Sequence, residues 1–381
     1  MTSAPFDRST LPDHLHLARL GWDDDWATAA AEAAGALRLP DDVRLAPGRV
    51  VRADRGGCEL LVEAASGLTP VRTTWGADIV ADSAHDPTAV PAAGDWGVVA
   101  TWPDDRTTIE VLLPRRAAVV RAQVASGSTH GQVLAANADV VAVVEGLSPD
   151  PDAGRIERLL ALAWSSGGRP LVVLTKADLV AEPDDLVGEV SDVAPGCEVL
   201  ATSATADADG PGLRRMRELL ASGATVALLG ASGVGKSTLL NALVGGDAML
   251  TRALRADGKG RHTTVTRELH LAPGGGAVLD TPGLRTVGLV GREAVEEVFA
   301  DVEDLAGRCR FNDCVHDSEP GCAVVAAIEA GALTERRLAS YRKLRREIEW
   351  QASRTDARLR AERARVWKQR AAANRQRIPR P

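Results

Sequence analysis

The sequence predicts three folded units in one chain: a small all-β barrel, an α/β unit with a parallel sheet, and a small α-helical unit that holds a metal. Short β-type runs broken by Gly, Pro and Asp fill residues 47–113, and buried strand patterns alternate with helix patterns from about residue 138. Three of the five Cys residues fall within fourteen residues, beyond residue 300. A length of 381 residues leaves room for roughly two to three domains.

Composition and charge exclude several classes of protein. A hydrophobic content of 45% and a charged content of 25% are globular values, which exclude a disordered or collagen-like chain. No run of ~18 apolar residues and no signal-peptide pattern at the start are found, so we expect a soluble, cytoplasmic protein that does not enter a membrane.

The net charge of −7 argues against a uniformly basic nucleic-acid binder, but the charge is unevenly distributed. Residues 336–381 contain 16 Lys and Arg against 4 Asp and Glu, a local charge of +12. An acidic body with a basic tail indicates a polyanionic partner at one end of the chain. A solvated arginine-rich helix is the alternative interpretation.

Residues 1–46 predict an N-terminal helical lead-in, because they are rich in Ala and Asp. Trp22 and Trp26 are four residues apart, as on one helical face, which predicts packing against the following unit. We find no catalytic chemistry in this segment.

The barrel is predicted over residues 47–115. Five short β-type runs in about 65 residues are typical of a small barrel, and the OB-fold is the commonest barrel with five strands. Only Trp75, Trp96 and Trp102 offer aromatic rings, so support for a base-stacking surface is weak. The predicted strands are residues 48–52, 58–62, 71–75, 97–100 and 108–112.

The α/β unit is predicted over residues 116–290, because apolar strand runs there alternate with helical segments. The helical segments are residues 155–164 and 213–220. The predicted strands are residues 140–144, 171–174, 199–200, 226–229 and 277–279.

Residues 230–238 match the phosphate-binding pattern G-x-x-x-x-G-K-[ST], between a predicted strand and a helix over 238–244. The glycines let backbone N–H groups surround phosphate oxygens, and the helix N-terminus adds partial positive charge. Lys236 is expected to reach the β- and γ-phosphates, and Ser237 to bind Mg²⁺. A chance glycine-rich turn is the alternative. The candidate residues are Gly230, Ala231, Ser232, Gly233, Val234, Gly235, Lys236, Ser237 and Thr238.

Two later segments add parts of a phosphate-sensing site. Asp280 and Gly283 belong to the motif Asp-Thr-Pro-Gly, which resembles the D-x-x-G that holds the metal through water and senses the γ-phosphate. Thr263 and Thr264 lie between the two motifs, where a switch threonine would close on Mg²⁺. The sequence leaves open which of the two threonines binds the ion.

A third group of residues indicates which base is bound. Thr175, Lys176, Ala177 and Asp178 resemble the guanine-reading motif N-K-x-D. A carboxylate at Asp178 can accept hydrogen bonds from both N1–H and N2–H₂ of guanine, a donor pair that adenine lacks. Thr175 replaces the usual Asn and can form fewer bridging hydrogen bonds. The segment Thr202, Ser203 and Ala204 resembles the loop that supports the base.

These motifs stand in an unusual order, since the base-reading segments precede the phosphate loop. A circular permutation of one GTPase sheet explains this order, and it places the segment after Gly283 directly before the C-terminal region. Leu284 stands where related enzymes have a water-orienting Gln, so we expect slow hydrolysis until a partner completes the site. His262 is a candidate substitute, and a plain surface histidine is the alternative.

Cys309, Cys314, His316 and Cys322 form the last cluster. Three thiolates and one imidazole at close spacing fit one closed tetrahedral Zn²⁺ site with a structural role. An iron–sulfur cluster would usually take four Cys, and incidental Cys residues are the other alternative.

Taken together, these motifs resemble the ribosome small subunit-dependent GTPase A family over residues ~47–340. Residues 260–264 (Gly-Arg-His-Thr-Thr) and 312–316 (Asn-Asp-Cys-Val-His) are especially similar to the family pattern. The resemblance implies an OB-fold barrel, a circularly permuted P-loop GTPase domain, and a zinc-binding helical domain with a basic C-terminal tail over residues 291–381.

The resemblance also implies an activity and its partners. It implies hydrolysis of GTP to GDP, stimulated by the small (30S) ribosomal subunit, and a role in late subunit maturation through rRNA contact. It assigns GTP to the phosphate loop and Thr175–Asp178 region, zinc to the Cys/His cluster, and a catalytic role to His262. We expect a monomer. A P-loop ATPase or kinase, and an RNA-binding scaffold in which the nucleotide only fixes conformation, are the alternatives.

Overall fold

The computed structural model describes residues 15–125, 128–245, 267–284 and 291–355. Within these ranges, no helix combines the length and apolar character that a membrane span requires.

The N-terminal segment contains two helices, α1 (Leu15–Ala18) and α2 (Asp24–Ala36). Asp23 caps α2, since its carboxylate accepts a hydrogen bond from the Trp26 backbone N at 2.9 Å. Trp22 precedes this cap, so the expected pairing of Trp22 and Trp26 on one helical face is wrong. Both rings nevertheless contact Trp96 of the barrel, with centroids 4.8 and 6.1 Å away. The predicted packing of this segment onto the next unit is therefore confirmed.

Five strands form a closed barrel in the order β1-β2-β3-β5-β4. Val50, Leu60 and Ile109 are fully buried inside it. A helix, α3 (Ala77–His85), and a 3₁₀ turn (Pro87–Ala89) connect β3 to β4. All five predicted runs lie within these strands, although the first strand begins before residue 47. The strands are β1 (Arg44–Asp54), β2 (Gly57–Ala64), β3 (Gly67–Trp75), β4 (Trp96–Thr101) and β5 (Thr107–Leu112).

A six-stranded sheet follows, in the order β10-β9-β8-β11-β13-β12. All its neighbouring strands are parallel except β12, which runs antiparallel to β13. The sequence did not reveal β12 or the hairpin β6–β7 that precedes the sheet. The strands are β6 (Ala118–Ala125), β7 (Ser128–Ala136), β8 (Val140–Gly146), β9 (Arg169–Thr175), β10 (Glu198–Ala201), β11 (Thr225–Leu229), β12 (Glu268–Leu271) and β13 (Ala277–Asp280).

Helices cover the sheet, and every residue of β8 and β11 is buried. Strands that are buried along their whole length are typical of a parallel sheet packed on both faces. The helices of this unit are α4 (Ala153–Trp164), α5 (Pro183–Val193), α6 (Pro211–Ala221) and α7 (Lys236–Val244).

Arg49 of β1 joins the barrel to the sheet unit. Its fully buried guanidinium donates to the backbone oxygens of Gly94 (3.0 Å), Asn137 (3.1 Å) and Leu20, and to Thr225 Oγ1 (3.1 Å). Burial lowers the pKa of Arg49 to about 10. One side chain therefore ties the N-terminal segment, the barrel and the first residue of β11 together.

The C-terminal unit is helical, and the described residues after 290 contain no strand, as expected. Glu157 of α4 is completely buried and accepts hydrogen bonds from Arg336, Arg337 and Ser340. Two arginines of the predicted basic tail thus hold the C-terminal unit against the sheet unit. The helices are α8 (Glu293–Val298), α9 (Ala300–Ala306), α10 (Ala323–Glu329) and α11 (Glu335–Thr355).

Candidate nucleotide-binding site and metal centre

The motif residues converge on one edge of the six-stranded sheet. Because β8, β9, β10, β11 and β13 run parallel, their carboxyl ends meet at the same edge, where ligands bind in open α/β sheets. The candidate segments 175–178, 202–204, 230–238 and 280–283 each follow or end one of these strands.

The phosphate loop has the backbone geometry that its glycines predict. Gly233 and Gly235 adopt φ of +86° and +99°, in the left-handed region that favours glycine. A Cβ at Gly230 would lie 2.4 Å from the Val144 backbone oxygen, so the loop passes too close to β8 for any side chain. Helix α7 begins at Lys236, two residues before the predicted start. Ser237 and Thr238 are exposed at its N-terminus, where a metal and phosphates can reach them.

The lysine of this loop is 8% exposed and held in place by the loop itself. Lys236 Nζ donates to the backbone oxygens of Gly230 (2.8 Å) and Ala231 (2.7 Å). Burial lowers its pKa, while the nearby carboxylates of Asp280 and Glu145 oppose that fall. The side chain is positioned to exchange these carbonyl partners for phosphate oxygens.

Asp280, at the end of β13, is buried beside the phosphate loop. Burial raises the pKa of its carboxyl to about 6, against the opposing effect of Lys236, and its Oδ1 atom has no hydrogen-bond partner. A Cβ at Gly283 would lie 3.0 Å from the Ser232 backbone N. Leu284 N also donates to Gly230 O at 3.0 Å. The D-x-x-G segment therefore lies directly on the phosphate loop, with an unsatisfied oxygen that fits a metal-bound water.

Thr175, at the end of β9, contacts the phosphate loop at a different point from the D-x-x-G segment. Its hydroxyl donates to the Val234 backbone oxygen and lies 3.3 Å from Glu145 O. A Cβ at Gly235 would lie 2.9 Å from Thr175 Oγ1. A hydroxyl has one proton to donate, so it bridges with fewer bonds than an amide, as expected. The base-reading and phosphate-reading segments are nevertheless in direct contact.

The base-reading turn is ordered by its own backbone and by the segment after β10. Lys176 adopts φ of +61°, and its Nζ donates to Ser148 O at 3.1 Å. The backbone N of Ala177 donates to Thr202 O at 3.1 Å, and Ser203 Oγ donates to Asp178 Oδ1. The exposed Asp178 carboxylate is thereby oriented by the segment predicted to support the base. Ala204 follows, packed partly buried against the core.

Three predicted site residues, His262, Thr263 and Thr264, lie outside the described residues. Their candidate roles stay predictions.

The Cys/His cluster is assembled in the C-terminal unit. The ligand atoms of Cys309, Cys314, His316 and Cys322 all lie within 4.8 Å of one another. His316 Nδ1 is 3.5 Å from Cys309 Sγ and 3.6 Å from Cys322 Sγ, and the two sulfurs are 3.8 Å apart. Sulfur ligands of a tetrahedral zinc, at about 2.3 Å from the ion, have this spacing. The donor set therefore fits a four-coordinate metal with no open position.

Groups around the cluster hold its loop in place. The Glu319 carboxylate accepts hydrogen bonds from the backbone N of Val315 (3.0 Å) and Asp317 (2.8 Å), and these bonds lower its pKa to about 2. Arg342 of α11 donates to His316 O at 2.7 Å. The long helix thus fixes the ligand loop from outside.

Comparison with known proteins identifies the family. A family model described as RsgA GTPase matches residues 112–290. A relative from Streptomyces coelicolor, named "Small ribosomal subunit biogenesis GTPase RsgA", is 49% identical over 369 residues, which covers 96% of this chain and 95% of the relative. The chain belongs to the RsgA GTPase family. A relative of the same name from Opitutus terrae is 42% identical and covers 93% of this chain and 95% of its own length.

Solved structures support the RsgA fold. YjeQ from Thermotoga maritima matches with a TM-score of 0.57 and 27% identity, covering 80% of this chain and 99% of that one. YloQ, described as a circularly permuted GTPase, matches with a TM-score of 0.55 and 22% identity, covering 82% of this chain and 98% of its own. The circular permutation expected from the motif order is confirmed.

Sequence reasoning missed two buried charged residues: Glu145 near the site, and Glu157 at the contact between α4 and the C-terminal unit. Glu145 is the one charged residue of the apolar strand β8, whereas Glu157 lies between Arg155 and Arg158 in α4, and neither belongs to a short motif. The isolated charge in an apolar run was the available signal for Glu145, since such groups are rarely buried unless paired.

Proposed function

We propose that this chain binds GTP across the sheet edge and hydrolyses it to GDP by attack of water on the γ-phosphate. The contact of the Thr175 hydroxyl with Val234 O carries this proposal. It joins the guanine-reading turn to the phosphate loop, so that one nucleotide can span both. The family membership of the chain supports the same activity.

Each part of the site has a proposed role. The amides of residues 230–238 and Lys236 stabilise phosphate charge, and Asp178, supported by Ser203 and Ala204, selects guanine. Ser237, with Thr263 or Thr264, would hold Mg²⁺, which neutralises developing charge when it is bound. We propose that Asp280 and Gly283 sense the γ-phosphate and that His262 orients the attacking water.

We further propose that the protein acts in the cytoplasm, as a monomer, in late maturation of the small ribosomal subunit and in contact with rRNA. The relatives' name, small ribosomal subunit biogenesis GTPase, supports this role. The +12 charge of residues 336–381 also supports it, although Arg336 and Arg337 are engaged by Glu157. We propose the domain limits 1–46, 47–115, 116–290 and 291–381.

We propose that the cluster of Cys309, Cys314, His316 and Cys322 holds one structural zinc ion. The helices α9 and α10 on either side are only seven residues long, too short to be stable by themselves, so a metal would supply the missing stability.

GTP turnover, measured with and without purified small ribosomal subunits, tests the proposed function. We expect slow turnover alone, strong stimulation by the subunits, and weaker stimulation at high salt because phosphate contacts are screened. The Lys236→Ala variant should lose turnover in both conditions. Turnover unchanged by the subunits would contradict the proposed role in their maturation, and full activity of the variant would contradict the proposed site.

A further inference from the structure

Glu145 is a buried carboxylate at the end of β8. The other residues of this strand are apolar or glycine, and the Glu145 side chain is only 3% exposed. Arg155, near the start of α4, donates hydrogen bonds to both carboxylate oxygens of Glu145, from Nε to Oε2 at 2.7 Å and from Nη2 to Oε1 at 2.5 Å. Such a bidentate pair is the geometry in which arginine binds a carboxylate most strongly.

This ion pair lies beside the proposed phosphate site. Strand β8 is paired with β11, where Val143 lies opposite Leu229, so Glu145 is level with the start of the phosphate loop. Its backbone oxygen is 3.3 Å from the Thr175 hydroxyl, which contacts Val234. The Glu145 carboxylate also acts on Lys236, as one of two acidic groups that favour the protonated lysine. The other group, Asp280, already belongs to a recognised motif.

A carboxylate that attracts Lys236 also repels the phosphates that Lys236 binds, because both interactions follow the same distance law. The Arg155 guanidinium brings a compensating positive charge to the same place. We propose that Arg155 is a positioning residue of the phosphate site: it holds and neutralises Glu145, so that this strand end supports the phosphate loop without repelling the nucleotide. This inference rests on the proposed function.

The charge argument predicts an asymmetry between the two partners. In Arg155→Met, the unpaired Glu145 carboxylate should weaken nucleotide binding. In Glu145→Gln, residue 145 carries no negative charge. Arg155 still has Asp152 as a partner, with Asp152 Oδ2 at 3.3 Å from Arg155 Nη1. This variant should bind nucleotide at least as tightly as the wild type. A bridge with a purely structural role would instead weaken binding when either partner is replaced.

The test measures the dissociation constants of GTP and GDP by calorimetry, for the full chain at pH 8 and low salt. Thermal unfolding of each variant is measured in parallel. We expect Arg155→Met to weaken binding of both nucleotides roughly tenfold, the effect of one misplaced charge at intermediate dielectric. Adding Glu145→Gln to Arg155→Met should restore affinity to within about twofold of the wild type.

Arg158→Met is the matched control. Arg158 lies one turn further along α4 and also forms a bidentate pair, from its Nη1 and Nη2 atoms to Glu347 of α11 at 2.8 and 2.6 Å. Its loss should lower thermal stability without changing nucleotide affinity. If Arg155→Met fails to fold, Arg155→Lys replaces it in the test. This variant keeps the positive charge but loses the bidentate hydrogen bonds, so we expect it to bind GTP and GDP with nearly wild-type affinity.

Three results would overturn the inference: wild-type affinity in Arg155→Met, no recovery in the double variant, or weakened binding by Glu145→Gln alone. A wild-type chain that binds no guanine nucleotide would overturn the proposed function and this inference together. Tight GTP binding by the wild type, with an unaffected Arg155→Met, would overturn the inference alone.

Discussion

At the scale of single residues, the proposed function assigns selectivity and affinity to different side chains. The exposed Asp178 carboxylate, oriented by Ser203, is the group proposed to read the base, and the buried Lys236 is the group proposed to bind phosphate. Thr175 connects the two by contacting the phosphate loop at Val234. A change at Asp178 should therefore alter which nucleotide binds, while the phosphate loop stays intact.

We expect Asp178→Asn to relax the preference for GTP over ATP. An amide in place of the carboxylate has one acceptor oxygen, and its other group is an NH₂ that only donates. The side chain therefore cannot accept both guanine hydrogen bonds, one on each oxygen. Loss of a bond to a charged acceptor costs about 1.5–3 kcal/mol, which corresponds to at least a tenfold weaker GTP binding. Competition of ATP against labelled GTP measures the change. Asp184→Asn, in the first turn of α5, is the control and should keep the wild-type preference.

At the scale of elements, the metal cluster and the α4–α11 contact hold the C-terminal unit. The cluster organises the loop between α9 and α10, and α11 fixes that loop through Arg342. The same helix is anchored to the sheet unit by Arg337, whose side chain is 3% exposed and bonded to both Glu157 and Asp301. Ion pairs therefore stabilise this small unit from one side, and the proposed zinc ion would stabilise its ligand loop.

Purified protein should contain one zinc ion per chain, measured by elemental analysis. Removal by a chelator should lower the thermal stability of the C-terminal unit, because the ligand loop loses its bonds to the metal. GTP binding should persist, since its residues lie in the sheet unit. The Cys314→Ser variant should lose zinc, whereas Cys197→Ser, outside the cluster, should keep it. Full zinc content in Cys314→Ser would contradict the proposed centre.

Replacing Glu157 by Gln should destabilise the contact between α4 and α11. The buried Arg337 guanidinium would lose a charged partner, and breaking such a pair costs about 3 kcal/mol. Urea unfolding measures this loss. Glu296→Gln makes the same chemical change in the exposed pair with Arg292 and should have little effect. Equal stability of the two variants would show that the buried cluster contributes no more than a surface pair.

At the scale of the whole molecule, the N-terminal segment, the barrel and the sheet unit all contact the guanidinium group of one buried arginine. Arg49 is the shared donor, and its four acceptors come from four separate parts of the chain. The two tryptophans of the N-terminal segment cover the barrel beside it, on Trp96. Arg49 is therefore a central contact in the orientation of the barrel relative to the sheet unit, together with bonds such as that from Ala136 N to Ala93 O (3.0 Å).

We expect Arg49→Met to destabilise the protein by about 3–5 kcal/mol, because several buried acceptors would lose their donor. Three of the eight tryptophans, Trp22, Trp26 and Trp96, lie at this junction, so fluorescence responds to its loss, whereas circular dichroism reports the helices. In urea, the fluorescence midpoint should fall below the circular dichroism midpoint. Arg52→Met, on the same strand but half-exposed and paired with Asp54, is the control. Wild-type midpoints in Arg49→Met would contradict this role.

The sequence by itself determined the barrel strands, the parallel strands of the sheet and the motif segments of this protein. Short β-type runs broken by Gly, Pro and Asp predict the barrel strands, and the glycine pattern of residues 230–238 predicts a loop whose φ values only glycine adopts readily. These features depend on neighbours within a few residues, so they can be read locally.

Only the tertiary structure decided which distant residues meet. The contact of Thr175 with Val234, the Arg49 junction, the Glu157 cluster and the Glu145–Arg155 pair each depend on side chains brought together by the sheet or between units. A single charge in an apolar run, such as Glu145 in β8, can suggest a buried ionic group, but no local pattern identifies its partner. The effect of the pair arises only when folding removes both charges from water and places them against each other.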